Sequence, residues 1–245
     1  MDHGLTDLEL LELQTAALFV ADLDGRLRFV REPGEEEAGL PAAPRLFLGR
    51  TPGGNVWRFR HDLPAALVRE IEDLCRTEPV LLGYTGAADE PRNAAAIRSL
   101  LAAHAPITAQ ARGPAYRLPG GLPVPDGVVL ISEENAHLLE GHFAWAITSR
   151  SGFRFAPVAA AVERGSAVSI GFCARLTASV AEAGVVTAQG HRGHGHAGAA
   201  VAGWAAAMRR LGRLPLYSTQ WENLASQAVA RRLGAVRYGE DWWVA

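Results

Sequence analysis

Apolar residues in "ELLELQTAAL" recur at helical spacing, and apolar and polar positions then alternate through "FVADLDGRLRFV" around the turn "DLDGR". This pattern predicts a helix followed by a hairpin. The run "REPGEEEAGLPAAP" keeps neither period and reads as a solvated loop. "RLFLGRTPGGNVWRFRHDL" predicts two strands around "TPGGN", and "PAALVREIEDLCR" and "EPRNAAAIRSLLAAHA" predict helices, the first with proline in its first turn. Proline and glycine concentrate in "RGPAYRLPGGLPVPDG", and a domain boundary is expected there.

Beyond Gly127 strands and helices alternate more clearly. "GVVLIS" reads as a strand, "EENAHLLEGHFAWAI" as a helix, and "APVAAAVERGSAVSIGFCARL" as two strands joined at "ERGS". The strand "EAGVVTA" runs through a glycine loop into the helix "AGAAVAGWAAAMRRL". A strand "PLYST", a helix "NLASQAVARRLG" and a closing strand "AVRYGEDWWVA" follow. Terminal arginines, with Gly212 and Gly234 after them, close the last two helices. The expected class is α/β (α+β), divided into an N-terminal α+β domain of unassigned role over 1–112, a linker over 113–126 and a C-terminal domain over 127–245.

Composition narrows the function classes. With 245 residues, 49% of them hydrophobic, there is ample material for a core. No apolar run is long enough to span a bilayer, and the acidic start "MDHGLTDLELLELQ" is unlike a signal peptide, so a cytoplasmic protein with no membrane partner is expected. A net charge of -2 offers no basic footprint for nucleic acid. All 24 cationic side chains are arginine, which excludes Schiff-base catalysis and the lysine-bearing nucleotide P-loop. Cys75 and Cys173 form no paired-cysteine motif and are expected to be buried small hydrophobes.

The stretch "TAQGHRGHGHAGAAVAGWAAAMRRLG" admits two chemistries. His191, His194 and His196 could ligate a metal. Alternatively, a loop that leaves a strand and opens a helix presents unpaired backbone N–H groups to an anion, with Gly193 and Gly195 permitting close approach and Ala197, Gly198, Ala199, Ala200 and Gly203 keeping the helix thin. The dinucleotide fingerprint is not met, because the strand after this helix, "PLYST", carries no acidic residue at its end.

"RGHGHA" resembles the R/Q-x-x-G-x-G/A motif of the GNAT superfamily of acyl-CoA-dependent N-acetyltransferases, matched by Arg192, Gly195 and Ala197. "NLASQAVARRLG" is similar to the family's second signature, an asparagine opening a helix that ends in glycine. The resemblance covers roughly the last 120 residues and implies a mixed, mostly antiparallel sheet flanked by helices. It also implies acetyl-CoA as co-substrate, with Val185, Val186 and Thr187 pairing with pantetheine, and Arg192, Gly193, His194, Gly195, His196, Ala197 and Gly198 forming the pyrophosphate loop. Asn223 would contact the CoA arm. No metal is assigned, since a backbone committed to pyrophosphate would not aim three imidazoles at one ion.

Acetyl transfer needs a base to neutralise the acceptor amine. By the resemblance, Glu182 on the cofactor strand is the candidate, with Glu133 and Glu134 ranked lower as first-turn acids. The tyrosine that many family members place seven residues after the helix-opening asparagine is Ala230 here, a departure that puts the thiolate's acid in doubt. Ser226 is the first substitute, followed by Tyr217, Ser218 and Thr219. The expected activity is acetyl transfer from acetyl-CoA to a small amine, with a non-catalytic acyl-CoA-binding protein as the alternative and a homodimer left open.

Overall fold

The computed structural model describes residues 4–83, 90–147 and 155–245. Helix α1 (Asp7–Leu18) begins at Thr6, whose side chain accepts from the Glu9 N–H while Glu9 reaches back to the Thr6 N–H. It leads into the hairpin β1 (Phe19–Ala21) and β2 (Leu27–Val30). Strands β3 (Leu46–Thr51) and β4 (Gly54–Phe59) pair around the predicted turn, and α2 (Ala65–Thr77) and α3 (Ala94–His104) follow.

Strand β5 (Gln110–Arg117) replaces the start of the expected linker. It lies inside the sheet, between β10 (Leu214–Ser218) and β11 (Val236–Val244), so the expected boundary at 112/113 falls within a strand. A glycine is required here by close packing: a Cβ on Gly113 would lie 1.7 Å from the Thr219 carbonyl oxygen. Pro114 has no N–H to give, but its carbonyl accepts from the Thr219 N–H at 3.2 Å.

Strands β6 (Val128–Leu130), β7 (Ala159–Glu163), β8 (Ser166–Leu176) and β9 (Val180–Thr187) complete the sheet, whose order among the described residues is β4-β3-β11-β5-β10-β9-β8-β7-β6. Every pairing in it is antiparallel except β9 with β10. The expected helix over "EENAHLLEGHFAWAI" is instead two 3₁₀ segments, Glu133–Leu139 and Ala144–Ala146. Buried Leu139, Phe143 and Ala146 have a spacing that suits either helix type, and residues 140–143 between the segments form no regular helix.

Helix α4 (His196–Arg210) crosses the sheet closely. A Cβ on Gly203 would lie 2.5 Å from Val128 Cγ1, and one on Gly171 would lie 2.8 Å from the Ala200 carbonyl oxygen. Trp204, Val201, Ala205 and Met208 pack with Cys173, Ala181 and Tyr217 to form the core beneath it. Helix α5 (Leu224–Arg232) returns the chain to β11, and Ala230 is buried in the same core. Cys75 and Cys173 are both buried and free. Among the described residues no helix is long and apolar enough to cross a membrane.

Candidate active site

The parallel pair β9 and β10 keeps register over three positions only, Val180–Leu214, Ala181–Pro215 and Glu182–Leu216. Beyond Glu182 the two strands part. β9 continues against β8 to Thr187, opposite Ser169, while β10 continues against β5 to Ser218, opposite Ala115. Among the described residues the β10-facing side of β9 from Ala183 onward therefore has no strand partner, which leaves that edge open to an extended ligand, although the Thr187 carbonyl accepts from Arg192 Nε at 3.4 Å. This is where Val185, Val186 and Thr187 sit, Val186 exposed and the other two half-buried. The Thr187 hydroxyl is 2.8 Å from the Ser169 hydroxyl, which anchors the end of the strand.

The loop from β9 into α4 has the backbone that its glycines predict. Gly193 and Gly195 have φ of +84° and +90°, a region costly for residues with a Cβ. A Cβ on either would project into open space in front of the helix end. Gly195 is the N-cap of α4, and no side chain caps this end. The first helical bond there is from the Ala199 N–H to the Gly195 carbonyl, so the N–H groups of His196, Ala197 and Gly198 have no intrahelical acceptor. An end like this, with its dipole and free donors, suits a diphosphate. Arg192 and His194 are exposed beside it. Asn223 lies away from the loop, since Gly198 faces Leu233 at the other end of α5. The Asn223 side-chain oxygen caps α5 by accepting from the Ser226 N–H at 3.0 Å.

Glu182 stands where the strands part. It is 3% exposed, and Ser218 donates to its Oε2 at 3.1 Å, while Oε1 is buried without a hydrogen-bond partner. Burial, reinforced by the nearby Asp241 carboxylate, pushes its pKa up to about 8. Opposite Glu182 on β8 lies Arg175, next to a bulge in the β8–β9 ladder, with its Nε buried and unpartnered. Ser218, Arg175 and Asp241 all line a cavity of about 460 Å³ whose apolar walls include Leu18, Phe19 and Trp243. Burial pushes Asp241 up to about 7, with Glu240 adding to the shift, although Gln14 Nε2 donates to its Oδ2 at 3.0 Å. Another cavity, of about 600 Å³ at Ser179 and Leu214, lies at the opposite end of the β9–β10 pair and touches none of these groups.

Ala230 is fully buried, so no hydroxyl is available at the expected acid position. The Ser226 hydroxyl instead lies 2.6 Å from the Tyr217 hydroxyl, which joins α5 to β10, and burial raises the Tyr217 pKa. Glu133 and Glu134 open a 3₁₀ segment near β6 and are exposed, and neither lines the 460 Å³ cavity; Glu182 is not in its lining either but reaches it through Ser218, which is.

Two members of the site could have been suspected from sequence. Asp241 stands directly before the Trp242–Trp243 pair of the last strand, and Arg175 interrupts the apolar run near the end of β8. Glu163 could not have been. It closes β7, and its carboxylate meets two of the loop imidazoles, His191 Nδ1 at 3.0 Å and His196 Nε2 at 3.3 Å. His194 is left outside that group.

No protein-family model matches the chain, and no curated protein matches it. Among solved structures, it is similar to an acetyltransferase from the GNAT family from Colwellia psychrerythraea, with 15% identity, 98% of this chain and 97% of that one covered, and a TM-score of 0.46. A GCN5-related N-acetyltransferase-like protein from Streptococcus suis gives 13% identity, 86% of each chain and a TM-score of 0.46. A GCN5-related N-acetyltransferase from Kribbella flavida gives 20% identity, 60% of this chain and 62% of that one, and a TM-score of 0.44. The chain spans less than two thirds of the length of two solved structures it matches, 65% of one and 62% of the other. At these identities and scores no residue role is transferred from them. The solved structures similar to this chain include several GNAT-family acetyltransferases, the family that the glycine loop resembles.

Proposed function

We propose that this protein transfers an acetyl group from acetyl-CoA to the amine of a small acceptor. The observation that carries this reading is the parting of β9 and β10 at the buried Glu182, one of whose oxygens has no hydrogen-bond partner, with the glycine loop at the far end of β9. Acetyl-CoA supplies an acetyl group already activated as a thioester. The free N–H groups of His196, Ala197 and Gly198 would hold its pyrophosphate, and the unpaired side of β9 from Val185 to Thr187 would hold its pantetheine arm. The 460 Å³ cavity has the size and the mixed lining of a small-molecule site, and it is the proposed acceptor pocket.

In this reading Glu182 is the general base. A carboxyl titrating near 8 is a stronger base than an ordinary one, and its active, ionised form builds up as pH rises toward and past 8. Glu182 removes the proton from the acceptor nitrogen as its C–N bond to the acetyl carbon forms and the C–S bond breaks, and the electron pair of that bond leaves on sulfur. The Tyr217–Ser226 hydroxyl pair is the nearest candidate to return a proton to the thiolate. A thiol of ordinary pKa is a tolerable leaving group without strong acid assistance, so Ala230 does not forbid turnover. Buried Ala230 is also the observation that favours the second reading, a protein that binds acyl-CoA without turning it over.

The test pairs two variants. Glu182→Gln is expected to keep the thermal shift that acetyl-CoA produces and to lower turnover by about 10²–10⁴-fold with loss of the alkaline-shifted pH profile. Gly195→Glu is expected to abolish the thermal shift. Turnover with an unchanged pH profile in Glu182→Gln removes the base assignment, and a shift without turnover in the parent protein selects the binding reading.

A further inference from the structure

We propose that Glu163, His191 and His196 form a binding site for a divalent transition metal, with zinc the best fit. The sequence argues against a metal only on the ground that the loop would not aim three imidazoles at one ion. In the fold only two imidazoles converge, and the third ligand is a carboxylate from the β7–β8 hairpin, a contribution that local spacing could not reveal.

One ligand atom from each of the three residues lies within 4.8 Å of the others. The two carboxylate contacts, 3.0 and 3.3 Å, use different oxygens of Glu163 and opposite ring nitrogens, Nδ1 of His191 and Nε2 of His196. Zinc bonds of about 2.0–2.1 Å at tetrahedral angles place neighbouring ligand atoms about 3.3 Å apart, so a set already within 4.8 Å needs only side-chain adjustment to close on one ion, with one Glu163 oxygen as the ligand. Two imidazoles and one carboxylate form a ligand set found in zinc and non-haem iron sites that keep a position open. Glu163 and His191 also line an open cavity of about 600 Å³ together with His142, which leaves room for water or a ligand at that position. The His142 ring centre lies 5.9 Å from that of His191.

The location gives the metal a structural consequence. His191 ends the 3₁₀ turn Gln189–His191 and His196 begins α4, so the two ligands bracket the loop from Arg192 to Gly195. Chelation ties both flanks of that loop to the tip of the hairpin and places positive charge beside the free N–H groups of α4.

The experiment uses the full chain without an affinity tag, stripped with chelator and titrated with Zn²⁺ by calorimetry in the absence of acetyl-CoA. One equivalent is expected to bind. Glu163→Gln and His196→Ala should each weaken binding by more than about 100-fold, beyond the loss seen when an outer-shell partner is removed, whereas His194→Ala should leave the affinity unchanged. Absence of a one-equivalent site, or equal weakening by His194→Ala and His196→Ala, overturns the proposal. A second measurement needs no variant. The Co²⁺-loaded parent should show the intense visible absorption of a low-coordinate site, and the weak spectrum of the aquo ion overturns it. Because no acetyl-CoA is present, failure here leaves the acyl-transfer reading standing.

Discussion

Glu240 and Asp241 are neighbours on β11 and project to opposite faces of the sheet, where they meet opposite treatment. On the Glu240 face, Arg50 donates from Nε to Glu240 at 3.0 Å and from Nη1 to Glu78 at 2.9 Å, and Arg237 reaches the second Glu240 oxygen at 3.1 Å. Glu78 also accepts the backbone N–H groups of Arg92 and Asn93, just before α3. Here buried charges carry opposite charges and donors around them and fasten α3 to the sheet. On the Asp241 face, Glu182 keeps one buried oxygen without a partner, and Arg175, which lines a cavity together with Asp241 and Ser218, keeps an unpartnered Nε. An unsatisfied buried group costs stability, so its retention beside open space points to chemistry rather than to architecture.

The sharpest way to break this contrast is Arg50→Ala. Removing Arg50 takes the cation that Glu240 and Glu78 share and leaves Glu78 buried with only backbone donors, which should lower stability by about 3–5 kcal/mol, measured by urea unfolding at neutral pH. A loss within the range of a surface ion pair would show that the two faces do not differ.

Glu182→Gln should move stability in the opposite direction over part of the pH range. The Glu182 pKa is raised from 4.5 to about 8 in the folded protein, so its favourable contribution is complete below pH 4.5 and is lost as pH rises through 8. Asp241, raised from 3.8 to about 7, acts with the same sign. The glutamine variant avoids the Glu182 part of this loss. Relative to the parent it should gain on the order of 2–4 kcal/mol between pH 5 and pH 9. Parallel unfolding midpoints across that range would rule out a buried, raised carboxyl at this position.

The smallest effect belongs to Ser218→Ala. The hydroxyl donates to Glu182 and holds its pKa down, so its removal should raise that pKa further, moving the acid limb of the turnover profile upward by less than about one unit. Its stability cost should be about 1 kcal/mol, the net worth of one hydrogen bond. A downward shift of the limb would mean that Ser218 does not act on the base.

The elements legible from sequence are those whose signals are local. α4, α5 and the hairpins at "TPGGN" and "ERGS" follow from apolar period, terminal arginines and glycine turns, and Gly193 and Gly195 take the left-handed conformations a phosphate-type loop needs. The family resemblance points to Glu182 by its place on the strand before that loop, but its burial depends on β10 and α1, which local sequence does not reveal. The first residues of the expected linker belong to β5, inside the sheet, where Gly113 and Pro114 answer a close approach by Thr219, a residue distant in sequence. The 3₁₀ turns at 133–146 were read as a helix because buried residues spaced three and four apart satisfy both periods.

By itself, then, the sequence determined the order and type of most elements, the glycine-built, uncapped start of α4 and the exclusion of lysine chemistry, since backbone propensity and residue identity are written within a few positions. Only the tertiary structure decided what meets what. The burial that raises Glu182, the unpaired side of β9, the tight pairing around Arg50 and the meeting of Glu163 with two loop histidines all join residues far apart in the chain. Their energies depend on solvent exclusion and on distances of a few ångströms, and no local spacing of residues encodes either.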